Sequence, residues 1–273
     1  MPNTEPASPR RPPRVVIAGA RGRLGRSFCE IALRNHWPIH GWVHHRPTVG
    51  SVRAETPPFV GADSVPSADA EGLADILRGA DLYVSAVPGP AERALLPRVA
   101  QAGIPAVVAG TGLDDRDTEW IDRIVERIPL VWEPNYSIGI QWLTQCVLRR
   151  PLPPGFDRGV VEVHHRGKAD RPSGTARILA QSLRSDTTTA EDRGRSPPAP
   201  VDLASLRVAD VAGVHQVWLT APEEMIRIEH VVLDRAVFAR GMFAAASALW
   251  EQNDSTPGRR SLAGLWSARG GIP

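Results

Sequence analysis

The sequence predicts an α/β protein in two parts: an N-terminal, doubly wound parallel sheet of the Rossmann type, and a C-terminal α+β domain with an open mixed sheet. Over residues 14–132, short runs rich in valine and isoleucine alternate with helical segments, as in parallel α/β sheets. A glycine-rich turn directly follows the first run. After Trp132, apolar and polar residues alternate instead, which is typical of strands with one buried and one solvated face.

The first strand and the turn after it predict the start of a dinucleotide-binding unit. The β-branched run 14–18 is followed by Gly19, Gly22 and Gly25 in the spacing G-x-x-G-x-x-G, and then by a helical pattern. Glycines allow a tight turn and let backbone N–H groups approach a pyrophosphate at the helix N-terminus. Because plain turns also contain such triplets, the position after the first strand matters more than the spacing.

The alternation of strands and helices continues through the rest of this half. The expected segments are strand 39–43, helix 73–77, strand 81–87, helix 91–102, strand 105–109, helix 117–127 and strand 129–132. Turn residues at 19–25, 87–90 and 110–112 follow three of the strands. Ligands of such sheets bind at the carboxyl ends of the strands, so these three turns are expected to line a crevice.

The second half is expected to form a separate substrate domain with few helices. The expected segments are helix 138–149, strand 159–165, a helix from Ser173 to Leu183, a polar and proline-rich loop at 184–200, strands 206–211, 214–219 and 225–233, and helix 238–250. Within the last strand, Ile226, Ile228, His230 and Val232 share one face.

The composition excludes several classes of protein. The net charge is only +2 and no basic run contains interleaved aromatic residues, so no nucleic-acid-binding surface is indicated. No apolar stretch approaches the roughly 18 residues of a membrane span, so no membrane association is expected. Cys29 and Cys146 lie far apart without metal-ligand spacing, which indicates buried free thiols and a cytoplasmic location. Residues 1–13 hold five prolines and no apolar core, which predicts a disordered tail and not a signal peptide.

The densest polar cluster, residues 162–176, contains the one lysine of the sequence, Lys168, against 31 arginines. A guanidinium keeps its proton near neutrality, whereas an ammonium has a tunable pKa, so a lone lysine here suggests chemistry. The paired His164 and His165 precede it, and imidazole is a suitable proton donor at neutral pH. The segment 173–175 opens a helix, whose free N–H groups suit a carboxylate. A structural alternative is that Lys168 is an ordinary surface lysine and that the two histidines belong to a strand with one side chain in the core and one in solvent. A zinc site is a weaker alternative, because no third histidine or cysteine lies at the spacing of a metal ligand.

This cluster resembles the E-x-H-H-x-x-K-x-D-x-P-S-G-T-A signature of the 4-hydroxy-tetrahydrodipicolinate reductase family, also called dihydrodipicolinate reductases, at every signature position. Other segments are similar to the family's motifs in the same order: 16–25 to V-x-I-x-G-x-x-G-R-M-G with Leu24 for methionine, 110–112 to a shortened G-T-T-G, 134–139 to A-N-F-S-x-G, and 235–241 to R-x-x-F-A-x-G. The resemblance covers roughly residues 14–252.

The resemblance implies an NAD(P)H-dependent reductase of the lysine and diaminopimelate pathway. Such an enzyme transfers hydride to C4 of a conjugated cyclic imine dicarboxylate, which is then protonated at C3. By position, His164 would be the acid and Lys168 its partner proton donor. The substrate carboxylates would be bound by His165, Ser173, Gly174 and Thr175. The residues expected at the cofactor are Gly19, Arg21, Gly22, Arg23, Leu24, Gly25, His45, Arg46, Gly110, Thr111, Gly112, Pro134, Asn135 and Tyr136.

The resemblance also implies the domain organisation and a homotetramer. The expected domains are a disordered tail at 1–13, a dinucleotide-binding domain at 14–133, a substrate-binding and tetramerisation domain at 134–238, and a C-terminal helix and tail at 239–273 that return to the dinucleotide-binding domain.

The end of the second strand bears on cofactor preference. NAD-specific sheets place an acidic residue there, but here Val43 is followed by His44, His45 and Arg46, with His45 aligned to the family's usual acid. A guanidinium suits a 2′-phosphate and no carboxylate repels it, so NADPH is expected to be preferred, with NADH as the second cofactor and no metal. The alternative is that these side chains point to solvent.

Departures from the family's pattern bear on the substrate and not on the fold. The G-T-T-G loop is one residue short, Arg171 takes a usually small position, and the chain has eight tryptophans against two tyrosines. A relative that reduces a related cyclic imine or unsaturated acid in specialised metabolism is therefore one alternative. A non-catalytic NADPH-binding sensor is another, against which the intact His164 and Lys168 argue.

Overall fold

The computed structural model describes residues 11–43, 59–61, 65–110, 118–148, 155–184 and 200–267. Contacts divide the chain into two compact units, residues 1–132 with 242–260 and residues 133–241 with 261–273. Several expected features lie outside the described residues: the tail at 1–10, the loop at 185–199, and the cofactor residues His45, Arg46, Thr111 and Gly112.

The described residues form strands and helices in an alternating order. The strands are β1 (Val15–Ala18), β2 (Ile39–Val43), β3 (Ser67–Ala68), β4 (Leu82–Ser85), β5 (Ala106–Val108), β6 (Pro129–Trp132), β7 (Asp157–His164), β8 (Val201–Arg207), β9 (Val214–Thr220), β10 (Met225–Val231) and β11 (Gly258–Arg260). The helices are α1 (Arg23–Arg34), α2 (Leu73–Leu77), α3 (Gly89–Gln101), α4 (Thr118–Val125), α5 (Ile138–Trp142), α6 (Gly174–Arg184), α7 (Ala236–Glu251) and α8 (Leu262–Ser267). Helix α5 continues into a π-helical segment, Leu143–Val147.

The first unit contains a seven-stranded parallel sheet in the order β11-β6-β5-β4-β1-β2-β3. From β1 the chain adds strands outwards in one direction and then, from β4, in the other, so the predicted doubly wound Rossmann-type sheet is confirmed. Strand β1 is buried along its whole length, which explains its continuous apolar run. The edge strands β3 and β11 escape prediction because two or three residues are too few to show a period.

Helices cover this sheet through apolar side chains. Leu73 of α2, Leu96 of α3 and Ile124 of α4 belong to one buried cluster with residues of β1 and β4 to β6. Phe28 of α1 and Phe243 of α7 have ring centroids 6.3 Å apart, so the two helices contact each other. The sheet is therefore held by burial of apolar surface, which is the dominant stabilising contribution in a layered fold of this kind.

A buried carboxyl group, Glu92 of α3, interrupts the apolar packing of the first unit. Its side chain is fully buried, and it accepts hydrogen bonds from the Ser85 hydroxyl and, at 3.5 Å, from the Tyr83 hydroxyl. Burial raises the pKa of Glu92 to about 8 against the opposing effect of these two hydroxyls. Glu92 is therefore protonated in the folded protein at neutral pH.

We expect Glu92→Gln to flatten the pH dependence of stability. In the unfolded chain the Glu92 carboxyl ionises near its ordinary pKa of 4.5, whereas the folded group keeps its proton up to about 8, so stability is lost as pH rises between these values. The loss is on the order of 4 kcal/mol by pH 8 if no other group compensates. Urea unfolding at about pH 5 and pH 8 measures it. The exposed Glu126→Gln is the control, and an unchanged slope in Glu92→Gln would contradict the assignment.

The second unit contains a four-stranded mixed sheet in the order β10-β9-β7-β8, with β7 and β8 parallel and the other two pairs antiparallel. The predicted open mixed sheet is confirmed. The expected strand at 206–211 is wrong in position, because β8 runs over Val201–Arg207. The prediction relied on Leu206 and Val208 as core residues, but both are exposed. The residues that pack against the core belong to the less apolar run that begins at Val201 and includes Leu203.

One face of this mixed sheet packs against α6. Val160 of β7 and Val217 of β9 join Leu179 and Leu183 of α6 in a buried cluster. At the C-terminal end of the helix, the Arg158 guanidinium donates to the Leu183 carbonyl over 2.5 Å. The helix is thus fixed to the sheet at its far end by both apolar packing and a buried hydrogen bond.

The C-terminal tail differs from its expected place. Helix α8 belongs to the second unit, where the Leu262 N–H donates to Glu133 Oε1 over 2.9 Å. Residues 239–273 therefore do not all pack with the first unit, since the division assigns 242–260 to that unit and 261–273 to the second. In the described part of the chain, no helix has the length and apolar character needed to cross a membrane.

Candidate active site

The glycine-rich turn lies at the carboxyl end of β1, beside the ends of β2 and β4. Gly19 has φ +81°, a conformation that favours glycine, and the Gly22 N–H donates to the Gly19 carbonyl over 2.9 Å. A Cβ on Gly25 would lie 2.1 Å from the same carbonyl oxygen, so the start of α1 packs directly on the turn. Gly22 is the N-cap and has no side chain to bond the first N–H groups of α1, which leaves them for an anion.

Neighbouring residues complete the carboxyl edge of the parallel sheet. The Arg21 guanidinium lies 5.1 Å from the ring centroid of Trp42 in β2. Gly110, just beyond β5, lies against Gly89 at the start of α3, and its carbonyl accepts a hydrogen bond from the Trp132 indole over 2.9 Å. The structure thus brings the described members of the expected cofactor set in the first unit to one edge of the sheet: Gly19, Arg21, Gly22, Arg23, Leu24, Gly25 and Gly110.

In the second unit, polar side chains form a row across the mixed sheet. Ser205 of β8, Glu162 of β7, His215 of β9 and His230 of β10 are successive cross-strand partners. The His215 ring centroid lies 5.8 Å from that of His230 and 5.0 Å from that of His164. Next to the row the same face is apolar: Leu203, Val160 and Ile228 come two residues before Ser205, Glu162 and His230, and Val217 comes two residues after His215 on the antiparallel β9. The polar row therefore continues the core that packs against α6.

Glu162 is the electrostatic centre of this row. Its Oε1 accepts hydrogen bonds from the Ser205 hydroxyl at 2.6 Å, the Ser173 N–H at 3.0 Å and the Arg207 guanidinium at 3.0 Å. Burial opposes ionisation, but these hydrogen bonds together lower the pKa of Glu162 to about 2. The carboxylate is therefore ionised at neutral pH and ties the segment before α6 to β7 and β8.

His164, the expected acid, is buried at the end of β7. Its Nδ1 lies 3.1 Å from Glu162 Oε2. Burial lowers the pKa of His164, Glu162 raises it, and the positive charges of Lys168 and Arg207 lower it further. A low pKa makes the protonated imidazole a strong acid, which suits a group that gives up a proton during the reaction.

Lys168 lies on the loop between β7 and α6. Its ammonium contacts Asp170 Oδ1 at 2.6 Å, and its backbone N–H donates to the His165 carbonyl over 3.1 Å. Burial raises the pKa of Asp170, but the ammonium outweighs this and keeps the pKa below its usual value. Arg207 donates from Nη2 to the Asp170 carbonyl over 2.5 Å, so the loop is held on both its side chains and its backbone.

The start of α6 holds the expected carboxylate-binding residues. The Ser173 hydroxyl accepts from the Ala176 N–H over 3.2 Å and so caps the helix. The Thr175 hydroxyl accepts from Asn135 Nδ2 over 2.5 Å. Among the described residues, and apart from its chain neighbours and its own helix backbone, no atom lies within 4 Å of a Cβ built on Gly174, so the helix start is open at that residue.

Asn135, an expected cofactor residue, belongs to the second unit, where its side chain contacts Thr175. Its Oδ1 also accepts from the Ser137 N–H over 2.6 Å, and the Ser137 hydroxyl lies 3.0 Å from His230 Nε2. Tyr136 is buried in the same segment. A Cβ on Gly241 would lie 1.7 Å from the Tyr136 carbonyl oxygen, so the backbone of α7 packs directly on this segment. Pro134 belongs to this segment as well, so these three residues lie in a different unit from the glycine turn.

The sequence pattern gave no role to the four residues of the polar row or to a fifth residue of β8. They are Ser205, Glu162, His215 and His230 of the row, and Arg207 of β8. The missed signal was cross-strand register: residues far apart in the sequence become partners when strands pair, and periodicity along one strand does not reveal it.

These features define a class of protein. A doubly wound sheet with an open glycine turn suits a dinucleotide, and a second unit that gathers imidazole, ammonium and helix N–H groups suits an anionic substrate that is protonated. The combination is that of a nicotinamide-dependent reductase.

The chain belongs to the dihydrodipicolinate reductase family. Residues 13–136 match the family's N-terminal region and residues 143–262 match its C-terminal region, which confirms the resemblance in the motifs. The 4-hydroxy-tetrahydrodipicolinate reductase of Xanthomonas campestris pv. campestris (strain B100) is 33% identical over 242 residues, 87% of this chain and 92% of the relative. That of Rhodopseudomonas palustris (strain BisB18) is 32% identical, over 92% of this chain and 96% of the relative.

A solved structure supports the fold. The dipicolinate-bound dihydrodipicolinate reductase from Paenisporosarcina sp. TG-14 superposes with a TM-score of 0.69 at 20% identity, covering 92% of this chain and 97% of that chain. The family match and the named relatives make the protein an NAD(P)H-dependent oxidoreductase. The glycine turn suits such a nucleotide because no side chain caps the first N–H groups of α1 at Gly22.

Proposed function

We propose that this protein reduces 4-hydroxy-tetrahydrodipicolinate to tetrahydrodipicolinate in lysine and diaminopimelate biosynthesis. The observation that supports this most directly is the arrangement of His164 and the start of α6 around ionised Glu162, with Lys168 bound to Asp170 on the loop between them. The bound nicotinamide nucleotide supplies a hydride for C4 of the cyclic imine. The chain's own groups then bind the two carboxylates and deliver a proton to C3.

His164 is the proton donor in this proposal. In the free protein, burial keeps its pKa low. A substrate with two carboxylates adds negative charge nearby, which raises the pKa and favours the charged imidazole before the reaction. The ionised Glu162, whose Oε2 lies 3.1 Å from Nδ1, stabilises that charge.

Lys168 is the partner donor. Its ammonium is bound to Asp170 at 2.6 Å, so a substrate carboxylate or a developing negative charge competes with Asp170 for it. His165, Gly174, Thr175 and the Ser173 hydroxyl bind the carboxylates, with the positive end of α6 directed towards them. The Ser173 N–H contributes indirectly because it is already donated to Glu162.

We further propose that NADPH is the preferred nucleotide. His45 and Arg46 follow β2 where NAD-specific sheets have an acid, and Arg21 adds a second guanidinium beside β2. The full set of groups proposed to hold the nucleotide is Gly19, Arg21, Gly22, Arg23, Leu24, Gly25, His45, Arg46, Gly110, Thr111, Gly112, Pro134, Asn135 and Tyr136.

Oxidation of each nucleotide in the presence of freshly generated 4-hydroxy-tetrahydrodipicolinate tests both proposals. Rapid NADPH oxidation supports the reductase and the preference. A tenfold preference for NADH would remove the preference alone. Tight NADPH binding without oxidation across several cyclic imines would overturn the reductase.

The outer face of the mixed sheet supports a homotetramer. Leu206, Val163, Val214 and Val231 are cross-strand neighbours on the face opposite the polar row. Leu206 and Val231 are 46% and 44% exposed, which is unusual for an apolar row of this length. We propose that identical copies cover this row in a closed, symmetric assembly.

Leu206→Glu is therefore expected to dissociate the tetramer into smaller species, because a buried unpaired carboxylate destabilises an interface by several kcal/mol. Light scattering coupled to size-exclusion chromatography measures the mass. Gln101→Glu, which adds the same charge to an exposed position of α3, should leave the mass unchanged. A wild-type monomer, or a Leu206→Glu tetramer, would contradict the proposal.

A further inference from the structure

Three buried side chains on one face of the mixed sheet bring metal-binding atoms together. Glu162 offers a carboxylate oxygen and His164 and His215 each offer a ring nitrogen, and these three atoms lie within 4.8 Å of one another. The three residues are 0%, 6% and 3% exposed, so bulk water does not compete freely for these atoms. We propose that Glu162, His164 and His215 form an inhibitory site for a divalent transition metal, with Zn²⁺ as the preferred ion.

The candidate ligands lack other partners. Among the described residues, no hydrogen bond is made by Glu162 Oε2, by His164 Nδ1 or by either ring nitrogen of His215. Glu162 Oε2 and His164 Nδ1 are 3.1 Å apart but do not align as a hydrogen bond. A buried polar atom without a partner typically costs about 1–3 kcal/mol, and a bound cation would satisfy three such atoms at once.

The ligand set matches what zinc prefers. Two imidazoles and one carboxylate with a vacant fourth position is a known arrangement of three-ligand zinc sites, with metal–ligand bonds of about 2.0–2.2 Å. Tetrahedral bonds of that length place ligand atoms roughly 3.3 Å apart, close to the Glu162–His164 separation. The pairing of Glu162 with His215 across β7 and β9 places the two side chains on the same face of the sheet, so we propose that a side-chain movement of His215 completes the site.

Nearby positive charge limits the affinity. The Arg207 guanidinium lies 3.0 Å from the other oxygen of Glu162 and balances its charge. On the loop between β7 and α6, Lys168 and Asp170 balance each other, so the site has no surplus negative charge. We therefore expect dissociation constants in the micromolar range, weaker than those of structural zinc sites. Such a site suits reversible occupation by the ion and not a resident cofactor.

The functional consequence rests on the proposed role of His164. A metal bound to Nδ1 would prevent His164 from carrying the proton, and it would bind the Glu162 carboxylate that stabilises the charged imidazole. An occupied site would therefore block reduction. Spacing along the sequence does not reveal the site, because His215 reaches the other two ligands only through strand pairing.

Co²⁺ titration of the full-length, chelator-treated protein tests binding without any reliance on activity. One equivalent per chain, with the visible absorption of four- or five-coordinate Co²⁺ and displacement by Zn²⁺, is the expected result. His215→Gln should weaken Zn²⁺ binding at least tenfold by calorimetry. His36→Asn, which removes an exposed histidine of the first unit, should leave binding unchanged. No absorption band, or equal affinity in His215→Gln, would overturn the site.

A second measurement covers the case in which His215→Gln does not fold. Pulsed electron paramagnetic resonance of the Cu²⁺-loaded wild type counts coordinated imidazoles: two support the site, and none or one overturns it.

Activity separates the two proposals. Zn²⁺ should inhibit the wild type, and a chelator should restore its activity. In folded His215→Gln, whatever its own kcat, the Zn²⁺ concentration that halves the activity should rise at least tenfold. Metal binding by a protein that does not reduce the imine would remove the proposed function and leave the site standing. Reduction that Zn²⁺ does not inhibit at saturating occupancy would overturn the inhibitory role.

Discussion

Replacing Lys168 with alanine is expected to lower kcat by about two to three orders of magnitude, the usual contribution of a positioned proton donor or charge-stabilising group. The ammonium is held at 2.6 Å by Asp170 near the buried His164, so its loss removes the cation that we propose acts with His164. The affinity for NADPH should change little, because the glycine turn belongs to the other unit. Steady-state kinetics and fluorescence titration of NADPH measure the two effects.

Lys168→Arg is the matched control for charge. It keeps the positive charge but replaces a compact donor by a planar, permanently protonated one, so it should recover substrate affinity more than kcat. Wild-type kcat in Lys168→Ala would exclude Lys168 from the mechanism. A parallel loss of NADPH affinity would show that the substitution acts through the fold of the loop.

Gly25→Ala is expected to abolish the nucleotide site. Its Cβ would lie 2.1 Å from the Gly19 carbonyl oxygen and within 3.0 Å of Ala20 Cα, and backbone atoms cannot rotate away as a side chain can. Either α1 shifts from the turn or the unit is destabilised, by about 3 kcal/mol or more on the scale of severe overpacking. We expect NADPH affinity to fall at least tenfold and the melting temperature to drop.

Gly159→Ala is the control for the glycine substitution. A Cβ at Gly159 meets its nearest atom, Cβ of Trp218, at 3.7 Å, which is ordinary contact, so stability and NADPH affinity should change little. Calorimetry and fluorescence titration measure both. Normal NADPH binding in Gly25→Ala would contradict the role of the turn.

The first unit could be predicted well because its signals are local. The buried run of β1 and the glycines after it mark the fold within a dozen residues, and the strand order follows from the connection rules of parallel sheets. The two short edge strands could not be predicted, since they depend on pairing with β2 and β6 and not on their own two or three residues.

In the second unit, the position of β8 could not be predicted from the pattern of its own residues. The expected strand at 206–211 followed the apolar residues Leu206 and Val208, which the fold leaves exposed, whereas β8 begins at Val201. Here exposed apolar residues gave the same pattern as buried ones. Only their burial distinguishes the two cases, and burial depends on the neighbouring strand.

The candidate site was predicted to the extent that it is continuous in sequence. The segment from His164 to Thr175 runs from the end of β7 through one loop to the start of α6, so its members could be grouped before their positions were known. His215 and His230 come from other strands and join the site only through pairing with Glu162 and with each other. Glu162 itself was part of the matched signature, but its role depends on donors from Ser205 and Arg207.

The anchoring of α6 at both ends bears on how substrate scope can change. One end is bound to Arg158 through the Leu183 carbonyl, and the other is bound to Glu162 through the Ser173 amide. A helix clamped in this way resists sliding towards a differently shaped diacid. A change in substrate selectivity must therefore come from different side chains around a helix whose backbone stays in place. Gly174, the open position at the start of α6, is the residue to vary first.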